Sequence, residues 1–170
     1  MKFRHYLVAL TIFVLDRLTK WLVQVYLDPV RPVEVIPGYL RFSYTENTGV
    51  AFGLFDAMEF PWKPYILSSL SIAAIAAILI YSAGKSSARW LLHYGLAVTM
   101  GGILGNFLDR LLKGYVIDFI DFHVQEIFHW PAFNVADSFI TIGITLLLID
   151  TLWNPEEEKA AVRSPACGKQ

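Results

Sequence analysis

Residues 64–84 read PYILSSLSIAAIAAILIYSAG, a run with no acidic or basic side chain between Lys63 and Lys85. A bilayer core takes about 20 mostly apolar residues per helix, so this stretch reads as a membrane span, and it decides the fold class. Working outward, three further segments have the right length. Trp90–Leu112 carries only His93 until Asp109 and Arg110 at its far end. Ala132–Trp153 holds Asp137 near one end and Asp150 near the other. Tyr6–Leu27 is the least clean, because Asp16, Arg17 and Lys20 interrupt it. These charges break the apolar centre that a cleaved leader needs, and no small-residue cleavage site follows, so the segment reads as a retained span.

The expectation is an all-α polytopic membrane protein with four transmembrane helices at about 6–27, 64–84, 90–112 and 132–153. Composition agrees: 55% of the 170 residues are hydrophobic and mean hydropathy is +0.48. A formal net charge of −1 argues against a nucleic-acid partner. The only cysteine, Cys167, leaves no internal disulfide and argues against thiol catalysis.

Four spans put both termini on one side. Lys2, Arg4, Lys85 and Arg89 crowd the short ends and the 84–89 turn, so these are expected to be cytoplasmic by the positive-inside rule. The connections 28–60 and 113–131 then face outward, with Trp62, Trp90, Trp130 and Trp153 as interfacial anchors. Within the first connection, clusters at Val33–Ile36 and Leu40–Tyr44 flank Pro37-Gly38, which predicts a small extracytoplasmic β-element over about 33–55. The expected plan is one membrane-embedded domain over 1–153 and a polar, disordered cytoplasmic tail over 154–170.

Ionisable groups at membrane depth cost roughly 2.5–3.5 kcal/mol each on insertion scales and persist when paired or used. The layout gathers Asn106, Asp109, Arg110, Asp118, Asp121, Asn134 and Asp137 in one leaflet. A bland reading exists for each. Asn134 followed by Asp137 has the form of an N-cap with a capping box, Asp118 and Asp121 read singly as solvated loop acids, and Arg110 reads as a snorkelling cation. Together they point to chemistry. Two carboxylates in a partly apolar site cannot both ionise cheaply, so the pair shares a proton. One member then draws a proton from water while the other hydrogen-bonds the scissile carbonyl. No HExxH, no His-and-carboxylate cluster spaced for zinc and no serine in a GxSxG turn competes with them. Which acid joins Asp137 stays open at this level: extended, Asp118 and Asp121 point to opposite faces, and helical, they share one.

Five blocks in order, DRLTK (16–20), NTGVAF (47–52), GGILGNFLDR (101–110), GYVIDFIDF (114–122) and FNVADS (133–138), resemble those of the bacterial lipoprotein signal peptidase (signal peptidase II) family. Jointly, at these spacings, they are specific. The resemblance implies a four-span aspartyl endopeptidase of the inner membrane. Such an enzyme removes the signal peptide from prolipoproteins on the amino side of a diacylglyceryl-modified cysteine. It implies Asp118 and Asp137 as the catalytic pair, with Asp121 a supporting acid. Asn47, Gly49, Gly102, Asn106, Arg110, Asn134 and Ala136 are implied as substrate-binding or supporting residues. It further implies diacylglyceryl-modified prolipoproteins and membrane lipid as partners, globomycin-type cyclic peptides as inhibitors, a monomer, no cofactor and no metal. Asp16 and Lys20, four apart, read as a compensating structural pair, and Gly101 and Gly105 as a small-xxx-small packing face.

Two other classes fit parts of the pattern. An ion path expects ionisable groups spread through the membrane thickness, whereas here they concentrate at one face apart from Asp16, Arg17 and Lys20. A lipid- or helix-binding scaffold needs no acid pair at all.

Overall fold

The computed structural model describes residues 1–49, 61–86, 88–125 and 127–154. Its elements in chain order are α1 (Phe3–Tyr26), β1 (Val33–Ile36), β2 (Leu40–Asn47), α2 (Lys63–Ala83), α3 (Trp90–Lys113), β3 (Val116–Val124), β4 (Phe128–His129) and α4 (Val135–Trp153). The parts of the expected β-element and tail at 50–55 and 155–170 lie outside the described residues.

α2, α3 and α4 are long and apolar enough to cross a membrane by length and composition. α1 has 24 residues, but Asp16, Arg17 and Lys20 fall in every 18-residue stretch of it. Their charges keep it outside that range, so three helices, not the expected four, qualify as spans on length and composition. α1 nevertheless turns an apolar stripe outward, Leu7, Leu10, Val14, Leu18, Trp21 and Val25, at helical spacing. Its inward face is the polar one: Asp16 and Lys20 are fully buried. α2 and α4 also expose large apolar residues, among them Leu70, Ile80, Leu148 and Leu152. Such surface is a liability in water and ordinary in hydrocarbon.

α3 is the central helix and packs on α1, α2 and α4. Glycines make the closest approaches possible. A Cβ on Gly101 would sit 2.7 Å from the Ala9 carbonyl oxygen of α1, and one on Gly102 would sit 2.5 Å from the Ala136 carbonyl oxygen of α4. Without hydrophobic driving force between helices in lipid, van der Waals contact through small residues carries much of the association. α3 ends where Gly114 adopts φ 84°, its N–H bonding the Arg110 carbonyl at 3.0 Å, the left-handed cap that only glycine takes without strain. The chain then leaves directly into β3.

The β-element is larger than the sequence reading has it. Four antiparallel strands run in the order β1-β2-β3-β4, so the second connection supplies half of the sheet. β1 and β2 join through Pro37-Gly38, with Gly38 at φ 77°. β2 pairs β3 with Arg41 opposite Asp121 and Thr45 opposite Asp118, and an irregularity lies between Phe42 and Thr45. Residues 132–134, expected inside the last span, are instead extended: Phe133 bridges Ile120, and α4 begins only at Val135.

Candidate active site

Four elements meet where α3 ends and α4 begins. Strand β3 brings Asp118, the head of α4 brings Asn134 and Asp137, α3 brings Asn106 and Arg110, and the end of β2 brings Asn47. Because β3 is extended, Asp118 and Asp121 lie on opposite faces. Asp118 shares a cleft of about 400 Å³ with Asp137, Asn47, Asn106 and Arg110, and its apolar walls include Trp130, Phe133 and Ile142.

Each of the four oxygens of the two carboxylates receives one N–H. Asn134 Nδ2 donates to Asp118 Oδ1 at 2.6 Å and Asn47 Nδ2 to Asp118 Oδ2 at 2.8 Å. Asn106 Nδ2 donates to Asp137 Oδ1 at 2.7 Å and the Asn134 backbone N–H to Asp137 Oδ2 at 3.2 Å. The amides are held in these orientations from behind. Asn47 Oδ1 accepts from the Gly49 N–H at 2.8 Å, Asn134 Oδ1 from the Asp137 N–H at 3.0 Å, and Asn106 Oδ1 from Lys20 Nζ at 2.9 Å. A donor on the oxygen leaves the NH2 end facing the acid. The N-cap reading of Asn134 and its bond to Asp118 thus coexist in one side chain: the capping box is present, and the spare amide proton serves the neighbouring acid.

Burial dominates the electrostatics. Asp118 is 2% exposed, and desolvation, followed by the charge of Asp137, pushes its carboxyl up to about 7 against the lowering effect of Asn47 and Asn134. Its neutral form therefore persists near neutral pH. Arg110 does not pair with either acid. Its Nη2 donates to the Gly49 carbonyl at 3.0 Å, pinning the end of β2 over the cleft.

Other expected residues take different places. Ala136 is fully buried in the α1–α3–α4 seam. Its N–H donates to Asp16 Oδ1 at 3.0 Å, and its carbonyl faces Gly102. Both Ala136 and Gly102 support the site from behind, and neither lines the cleft. Asp16 and Lys20 pair at 2.9 Å, but Lys20 also reaches Asp109 at 2.9 Å as well as Asn106. Asp109, gathered with the other polar residues by the sequence but given no role there, is the hub: Arg17 lies at 2.5 Å and Lys113 at 3.3 Å from its Oδ1. The spacing of Asp109 to Lys113, four apart on α3, was the available signal. Asp121 is ion-paired to Arg41 at 2.7 Å on the far face of the sheet. There it stands with His123 and His129 as a group able to hold a metal ion, brought together by strand pairing where sequence spacing showed no cluster suited to zinc. The third member comes from β4, which sequence spacing did not reveal as a paired strand.

Comparison with known proteins places the chain. A family model described as Signal peptidase (SPase) II matches residues 8–153. The lipoprotein signal peptidase of Solibacter usitatus (strain Ellin6076) is 39% identical over 162 residues, covering 95% of this chain and 98% of that protein. The lipoprotein signal peptidase of Francisella tularensis subsp. novicida is 36% identical over 157 residues, covering 92% and 96%. A solved bacterial membrane enzyme structure superposes with a TM-score of 0.79 at 28% identity, covering 91% of this chain and 90% of that one.

Proposed function

This chain belongs to the signal peptidase II family, and from that premise we propose that it is an aspartyl endopeptidase that removes the signal peptide from prolipoproteins. Cleavage falls on the amino side of the diacylglyceryl-modified cysteine. The observation that carries the mechanism is the pair of cleft carboxylates surrounded by neutral amides, one of them raised to about 7 by burial.

In the reaction, water attacks the scissile carbonyl carbon while Asp137 takes up its proton. Asp118, neutral, donates its proton toward the carbonyl oxygen as charge develops there. Collapse of the tetrahedral species passes a proton to the leaving nitrogen, which becomes the amino terminus of the modified cysteine. Asn106, Asn134 and Asn47 hold both acids in register, a positioning role. Arg110, through the Gly49 carbonyl, fixes the β2 end against which the substrate backbone lies.

The membrane layout completes the proposal. α1 serves as a fourth span with its apolar stripe in lipid and its charges inward, both termini are cytoplasmic, and the cleft opens at the outer leaflet of the inner membrane. Residues 1–153 act as one peptidase unit. A signal helix resident in the bilayer then presents its scissile bond at the depth of the end of α3 and the head of α4, and the lipid positions the peptide at the acids. The test is cleavage of a diacylated prolipoprotein by purified protein. Wild type should cleave, and Asp118→Asn and Asp137→Asn should each fail while remaining folded. Normal turnover by either variant sinks the mechanism, and equal kcat on unlipidated precursor sinks the positioning role of the lipid.

A further inference from the structure

We propose that the outer face of the sheet carries a zinc-class divalent metal site, formed by Asp121, His123 and His129 and separate from the cleft. Asp121 and His123 are two apart on β3 and so share a face, and His129 of β4 stands directly opposite His123 in the ladder. The hairpin delivers three ligands that no linear motif announces. From Asp121 Oδ1, His129 Nδ1 lies at 3.7 Å and His123 Nδ1 at 4.0 Å, and one ligand atom from each residue falls within 4.8 Å of the others. Bonds of about 2.0–2.1 Å in a tetrahedron put ligand atoms about 3.3 Å apart, so small side-chain rotations close the set around an ion.

Two of these atoms are otherwise unexplained. Asp121 Oδ1 and His123 Nδ1 are buried and have no hydrogen-bond partner among the described residues, on residues 7% and 3% exposed. A buried polar atom left without a partner is costly, and the two point at the same place. The remaining atoms are already oriented by neighbours. Arg41 Nε holds Asp121 Oδ2 at 2.7 Å, which leaves Oδ1 turned toward the imidazoles. Glu34 Oε2 stands 3.8 Å from His123 Nε2, on the side away from the candidate ion, as a carboxylate behind a ligating histidine does. Glu34 also faces Arg41 across β1 and β2, so it offsets the guanidinium charge that would otherwise oppose a cation. His129 is 39% exposed at its side chain, which gives an entry path and leaves a fourth position for water. Two imidazoles and one carboxylate with an open position suit zinc better than calcium or magnesium, which favour all-oxygen sets.

The site binds β4 to β3 one residue before Trp130, a wall of the cleft. It is not part of the proteolytic step. The test is calorimetric titration of chelator-stripped, untagged protein in detergent with zinc chloride, followed by cobalt substitution read from its visible absorption. Wild type should take up one equivalent saturably, and so should Cys167→Ser, which excludes the tail thiol. His129→Ala, at the more exposed of the two histidines, and His123→Ala should each lose saturable binding, while Glu34→Gln should weaken it by about tenfold. Absence of saturable binding by wild type, or unchanged binding by both histidine variants, overturns the proposal.

Discussion

Two groups of carboxylates lie close together in this molecule and are treated in opposite ways. Asp16 and Asp109 are surrounded by cations: Lys20 bridges both, and Arg17 and Lys113 add to Asp109. Asp118 and Asp137 are surrounded by amides. A cation within bonding distance strongly favours the charged form of a carboxylate, whereas a neutral amide orients it and favours that form less strongly. The first group therefore holds α1 to α3, and the second remains free to exchange protons. Lys20 joins the two: one ammonium closes the ion cluster and also sets the direction in which Asn106 faces Asp137.

The sharpest way to break this contrast is to neutralise one acid in each group. Asp118→Asn or Asp137→Asn should reduce cleavage to background, because asparagine retains shape and hydrogen bonding but cannot carry the proton. Stability should respond differently. Asp118 has a folded-state value near 7, above the ordinary value of about 3.9. Below 3.9 its contribution is fully present, and it is lost as pH rises through 7. Asp118→Asn removes that loss, so its thermal midpoint in detergent above pH 7 should equal or exceed that of wild type. A folded Asn variant that cleaves normally would contradict the proton-carrying role.

Asp109→Asn should show the reverse pattern. It leaves Lys20 and Arg17 short of a counter-charge at a position with no exposure, and breaking a buried pair in this way costs about 3–5 kcal/mol. The expected outcome is a lower thermal midpoint and poor recovery of folded protein, with residual cleavage scaling with the folded fraction. Asp109→Asn protein that is fully stable yet inactive would move Asp109 out of the structural group.

How much of this contrast could be read from the chain depends on which separation the signal crosses. The apolar runs of α2, α3 and α4 are local and legible, as is the Asn134–Asp137 cap. The charges of α1 were legible as costly, and Asp16 with Lys20 as a pair. Their partners Asp109 and Asn106 lie nearly ninety residues on, where no spacing rule reaches. The strand β3 was ambiguous because VIDFIDFHV is apolar at both parities. Only its pairing with β2 settles that Asp118 faces the cleft and Asp121 the other side. The metal-capable group was missed for the same reason, since His129 becomes a neighbour of His123 through β4 alone.

A smaller effect separates seam from cleft. Ala136 packs where a Cβ on Gly105 would lie 3.3 Å from the Ala136 Cβ, so Ala136→Leu cannot be housed by widening the cleft. Overpacking of this kind typically costs about 1–3 kcal/mol. Because Ala136 also anchors the first turn of α4 to Asp16, the displacement reaches Asp137. Ala136→Leu should lower the thermal midpoint and turnover together. Ala136→Leu with wild-type stability and only a raised KM would instead return Ala136 to the substrate surface.

The finest test concerns the amides themselves. Protonated Asp118 is the form proposed to donate toward the carbonyl, so kcat/KM should fall as pH rises through about 7, the value to which burial and the Asp137 charge push it. Asn47 Nδ2 donates to Asp118 Oδ2 at 2.8 Å, a bond that favours the ionised form and lowers the value. Asn47→Ala removes it, so the proton is held more tightly and the alkaline limb should move to higher pH. Hydrogen bonds to charged groups contribute about 1.5–3 kcal/mol, and one pH unit corresponds to about 1.4 kcal/mol. With water entering the vacated space to replace part of the bond, the shift should be roughly half a unit to one unit. Lower turnover at the optimum is expected as well, since Asp118 loses one of its two orienting donors, but that alone would also follow from a merely structural Asn47. The direction of the limb is what separates the two. An alkaline limb that stays in place in Asn47→Ala, or moves to lower pH, would mean that the group titrating there is not Asp118.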